Sequence, residues 1–144
     1  MARPIMDQIL AEARAIIADS RRRLRCTEAV TAQGDMCDAC DFAAVRFCAV
    51  GALINSAFRI TGNHEQAHRL GWKVAGMIAK AARLRPVDED DAGWSLALLS
   101  DTRGQAAVLR AVDALINQRR AEPCAILHHE VHASPVRRDN VTRR

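Results

Sequence analysis

The fold turns on the stretch Phe42 to Ile60, FAAVRFCAVGALINSAFRI. Of its nineteen residues only Arg46, Asn55, Ser56 and Arg59 are clearly polar. Apolar side chains would point all round a helix drawn through it, the pattern of a helix enclosed by others. A helical register aligns Ala44, Cys48, Ala52 and Ser56 at four-residue spacing, with Gly51 beside them. Such a row of small residues lets a neighbouring backbone approach and offsets the helix cost of Gly51, about 1 kcal/mol against alanine. Asp41 stands where an N-cap would accept from the first free amides. The strictly apolar run is far shorter than the roughly 20 residues that cross a bilayer. The stretch therefore predicts a central core helix over 42–58, and no membrane span.

Working outward, the 144 residues suit one domain with a real core. Hydrophobic residues make up 49% of the chain but aromatics only 3%, and tyrosine is absent. A core of Ala, Leu, Ile and Val favours closely packed helices over a β-sandwich. The expected fold is all-α: about four helices in a compact bundle around the central one. Charge is unevenly spread. Residues 1–118 carry 15 basic and 14 acidic groups, whereas 119–144 carry 6 and 3. This divides the chain into a helical domain, 1–118, and a basic, disordered tail, 119–144, and weakens any case for nucleic-acid binding by the whole fold. The odd count of five cysteines and the lack of an apolar leader in MARPIMDQIL point to a reducing, cytoplasmic setting.

Along the chain, Pro4 opens a first helix carrying Ile5, Ile9, Ala13, Ile16 and Ile17 on one stripe and ending near Arg22. Arg21, Arg22, Arg23 and Arg25 suit its C-terminal end as solvated charges, with an acidic partner surface as the sharper alternative. Residues 26–40 lack periodicity and read as a loop. Asn63 caps a helix over 64–84 with Ala67, Leu70, Val74, Met77, Ile78 and Ala81 facing inward. Ser100 or Asp101 caps a last helix that buries Val108, Ala111, Val112, Leu115 and Ile116.

Phe47-Cys48-Ala49-Val50-Gly51-Ala52-Leu53 resembles the aromatic-Cys-x-x-Gly-Ala-Leu core of a family of short bacterial and phage proteins of unknown function. The order of elements over residues 9–117 is similar as well. Where that family has Trp-Asn-Asp before its last helix, this chain has Leu99-Ser100-Asp101. The resemblance implies a helical fold and carries no activity or catalytic residue with it.

The sharpest motif is His64-Glu65-Gln66-Ala67-His68, an H-E-x-x-H with Gly71 three residues on. Two histidines four apart share a helix face and can both reach Zn²⁺, and Glu65 could deprotonate a metal-bound water. Against a hydrolase, the third ligand position of such proteases holds Val74. On a helical wheel the two histidines also lie about 100° and about 140° from the core direction. Cys37-Asp38-Ala39-Cys40 is a C-x-x-C, and with the pair it spells C-x₂-C-x₂₃-H-x₃-H, end spacings that suit a structural Cys₂His₂ zinc site. The metal candidates are thus Cys37, Cys40, His64 and His68, and the favoured reading is a surface histidine pair with no cofactor. Cys48 reads as an inert packing residue. His128, His129 and His132 form a tail cluster without an assigned site.

Taken together, these features favour a small helical accessory or protein-interaction module without catalytic activity, bound to a protein partner. A zinc-dependent hydrolase using Glu65 is the main alternative. A structural Cys₂His₂ zinc protein and weak nucleic-acid binding through the tail are the others, the last lacking the aromatic residues that stack on bases.

Overall fold

The structure, a computed structural model, describes residues 3–86 and 91–130, with backbone alone for 123–130. Five helices and a small sheet follow in the order α1 (Ile5–Ala18), a 3₁₀ turn (Ser20–Arg22), β1 (Ala29–Thr31), β2 (Met36–Cys37), β3 (Ala44–Phe47), α2 (Ala49–Thr61), α3 (His64–Ala81), α4 (Gly93–Arg103) and α5 (Gln105–Glu130). The three strands form an antiparallel sheet in the order β2-β1-β3. The chain is therefore mixed α/β, not all-α, and the expected four-helix bundle is corrected on both counts. The strands span two to four residues, too short to display an alternating pattern in sequence.

The decisive stretch splits in two. Ala44–Phe47 forms β3, and the helix starts only at Ala49. Cys48 is extended (φ −71°, ψ 175°), its amide donates to the Glu28 carbonyl at 3.1 Å, and its Sγ accepts from the Gly51 amide. Cys48, not Asp41, is the N-cap. Asp41 instead closes a turn, accepting from the Ala43 amide. From Ala49 to Ala57 every residue of α2 is buried, with α1, α3 and α4 packed around it. The small residue Gly51 does receive a close backbone, but from the start of β1 and not from a helix: a Cβ there would lie 2.0 Å from the Glu28 carbonyl oxygen.

The outer helices bury most of the stripes that their periodicity marks, Ile9, Leu10, Ala13, Ile16 and Ile17 on α1 and Val108, Ala111, Val112 and Leu115 on α5, whereas Ile5 at the start of α1 is 49% exposed and Ile116 is half-buried. Arg14 of α1 makes a bidentate pair with Asp113 of α5, and Arg119 bonds to Asp7. Asn63 caps α3 by accepting from the Gln66 amide at 2.8 Å. The expected cap at Ser100 or Asp101 is displaced: α4 runs through both residues, and the break falls at Gly104, whose φ of 85° favours glycine. Helix α5 continues past the expected boundary at residue 118 to Glu130. Residues 131–144 of the expected tail, and the side chains of His128 and His129, lie outside the described residues. Among the described residues no helix is long and apolar enough to cross a membrane.

Candidate metal centre

The sheet register determines which side chains can reach α3. Ala29 pairs with Cys37, so the next position across the ladder places Asp38 opposite Glu28. Successive side chains on a strand point to opposite faces, so Asp38 is turned away from the side that Cys37 takes. Asp38 then folds its carboxylate back onto the Cys40 amide at 2.7 Å, a tight turn that brings the Cys40 thiol round. Ala39, between them, is wholly buried and held at both ends: its amide donates to Glu28 Oε2, and its carbonyl accepts from the buried Asn55 of α2.

The first turn of α3 meets this loop. His64 Nε2 lies 3.1 Å from Asp38 Oδ2, and His68 Nε2 lies 3.0 Å from the same atom and 3.1 Å from Oδ1. The two imidazoles stack with centroids 4.6 Å apart. Asp38, Cys40, His64 and His68 each offer one ligand atom, and all four atoms fall within 4.8 Å of one another. A tetrahedral ion with bonds of about 2.0–2.3 Å separates its ligand atoms by roughly 3.3–3.8 Å, so modest side-chain adjustment would let this group hold a metal ion. Glu28 Oε1 is 3.8 Å from His68 Nδ1, the place where a supporting carboxylate orients a metal-bound histidine.

Charge at the site is consistent with that capacity. Burial pushes the Asp38 carboxyl up, but the Cys40 amide and the imidazoles of His68 and His64 more than reverse this and hold it below the usual carboxylate range. Burial, and then the Asp38 charge, push the Cys40 thiol up to about 12. Cys40 is thus a neutral thiol without an ion, and a bound cation would favour the thiolate.

Of the sequence-marked ligands the structure brings together Cys40, His64 and His68. The fourth donor is Asp38, and Cys37 stands outside the group, packed half-buried against the core with its thiol raised by burial. Glu65 is exposed and also outside it, while Val74 is fully buried in the core. Gly71, the other element of the H-E-x-x-H reading, serves packing: a Cβ there would lie 2.5 Å from Ile54 Cγ1 of α2. Asp38, Glu28 and Asn55 had no signal of their own in the sequence, because strand register places the first two and a long-range bond from α2 to the Ala39 carbonyl places the third. Among the basic residues, Arg21 pairs with Asp19 while staying 89% exposed, Arg25 is exposed, and Arg22 lies over the Phe47 ring at 5.6 Å.

No protein-family model, curated protein or solved structure matches the chain.

Proposed function

We propose that this protein is a small zinc-binding module for protein interaction, in which the ion clamps the 38–40 turn to the start of α3. The observation that carries the reading is the convergence of Asp38, Cys40, His64 and His68 within 4.8 Å. One thiolate, two imidazoles and one carboxylate make a mixed set that suits borderline-soft zinc. Four protein donors fill a tetrahedron, the arrangement of structural zinc, whereas catalytic zinc keeps a position open for water. The glutamate that a hydrolase would need as its base, Glu65, stands outside the group. Clamping also accounts for how the histidines sit, turned away from the helical core yet gathered on one carboxylate. The resemblance to the phage and bacterial family is compatible with this role and adds no activity to it.

The test is metal analysis of untagged protein grown with zinc. We expect one equivalent of zinc, released by Asp38→Ala, Cys40→Ser, His64→Ala or His68→Ala, and retained in Cys37→Ser and Glu65→Gln. Zinc should also raise the melting temperature over chelator-treated protein, since a ligand at about 100 times its Kd adds about 2.7 kcal/mol. Zinc well below one equivalent together with melting insensitive to chelator would overturn the proposal. Loss of zinc in Cys37→Ser with retention in Asp38→Ala would restore the Cys₂His₂ arrangement.

A further inference from the structure

A second site lies beyond the metal centre, where Trp72 of α3, Trp94, Ala97 and Asp101 of α4, and Cys26 and Glu28 line a cavity of about 220 Å³. Its walls combine three features. The two indoles stand 5.2 Å apart at 45°, one from each helix. Trp94 is 53% exposed, a large apolar side chain that the core does not require. One carboxylate borders the space, Asp101, which among the described residues is not paired with a lysine or arginine, while the Glu28 carboxylate is turned to the Ala39 amide and His68. Asp101 accepts from the Cys26 amide at 2.9 Å, which orients it without neutralising it. Among the described residues no basic residue lines the cavity.

Trp94, Ala97 and Asp101 follow at spacings of three and four along α4, so one helix face presents both an indole and a carboxylate to this space. Indole faces attract cations through their quadrupole, tryptophan most strongly. The unneutralised Asp101 carboxylate attracts the same charge and repels anions. A cavity smaller than the roughly 300–1,000 Å³ of drug-sized sites limits the ligand to a few heavy atoms. We infer that this cavity binds a small alkylammonium ion, its ammonium group near Asp101 and its carbon chain against Trp72 and Trp94. The inference does not depend on the zinc reading, although Glu28 borders both places.

The chain's two tryptophans are both cavity walls, so intrinsic fluorescence reports this site alone. The full-length protein is titrated at neutral pH with n-butylammonium, with n-butanol and butyrate as neutral and anionic counterparts, and with a capped lysine peptide. We expect a saturable change with butylammonium, a weaker one with the lysine peptide, and none with butanol or butyrate. Asp101→Asn keeps an acceptor for the Cys26 amide but removes the charge, and should weaken binding by about fivefold or more. Trp94→Leu, at an exposed position, should weaken it by about tenfold as read from Trp72. Both variants should keep the zinc content of the parent, so a failed titration leaves the metal proposal standing. Equal responses to butanol or butyrate, or an Asp101→Asn titration matching the parent, would overturn the inference. Tighter binding of the lysine peptide than of butylammonium would overturn it too, giving the cavity to a protein side chain.

Discussion

Replacing Gly51 with alanine probes the contact that joins the sheet to the central helix. The new Cβ would lie 2.0 Å from the Glu28 carbonyl oxygen and 3.0 Å from its carbon. Backbone cannot rotate away as a side chain can, so α2 and the start of β1 must part by about 1.4 Å to reach van der Waals distance. Overpacking of this kind costs about 1–3 kcal/mol. The movement also loosens the 3.1 Å bond from the Cys48 amide to Glu28, a further loss of about 1 kcal/mol. Alanine's better helix propensity returns about 1 kcal/mol, which leaves a net destabilisation of about 1–3 kcal/mol. For a chain of this size the melting temperature should fall by about 3–12 °C. Gly76→Ala is the matched control. Its nearest neighbour would be Ala92 Cβ at 3.7 Å, an ordinary contact, so the propensity gain is unopposed and melting should rise by a few degrees. Thermal melts followed by far-UV circular dichroism read both. Gly51→Ala melting at or above the parent, with Gly76→Ala behaving as expected, would refute the close approach. Because Glu28 also holds the Ala39 amide, Gly51→Ala should in addition weaken zinc by about tenfold.

Two further outcomes follow from particular contacts. Asn63→Ala removes the side chain that accepts the Gln66 amide, and should cost about 0.5–2 kcal/mol and weaken zinc as well, since the frayed turn carries His64; unchanged zinc affinity in a destabilised variant would separate the cap from the site. The hydrogen bond from Arg14, helped by its charge and opposed by weaker burial, holds the Asp113 carboxyl below the usual range. This stability is therefore present above an unfolded value of about 3.9 and lost as pH falls through the lower folded value. Arg14→Met should flatten that acid loss, by less than about 1 kcal/mol because both partners are some 40% exposed, and a denaturation series below about pH 5 would show whether the two profiles converge.

The helical stripes were legible because each repeats over several turns. Ile9, Ala13, Ile16 and Ile17 on α1, and Val108, Ala111, Val112 and Leu115 on α5, meet the core where their spacing says they should. The sheet was not legible. Phe47 runs without a polar break into Cys48 and Ala49–Ala57, and apolar continuity alone does not mark where the strand ends and the helix begins. What separates them is a long-range hydrogen bond, from the Cys48 amide to Glu28, that no local pattern encodes.

The candidate metal centre shows the same division between local and long-range information. The four-residue spacing of His64 and His68 is local, and the sequence shows it directly. A helical wheel puts both residues off the core face, and taken alone this argues for solvent. The wheel measures direction against packed helices and does not include the 38–40 turn, which covers that flank. The C-x-x-C marked the turn, and in the structure Asp38 and Cys40, not Cys37, stand beside the histidines, because cysteine spacing is indifferent to strand alternation. With Cys37 paired to Ala29 in the ladder, its neighbour Asp38 takes the opposite face and becomes the donor between the two imidazoles. A one-residue slip of β2 on β1 would exchange those faces and bring Cys37 toward α3. The register of a two-residue strand thus decides which chemistry meets the histidines, and the Ala39 peptide, bonded on one side to Glu28 and on the other to Asn55, keeps that register from slipping.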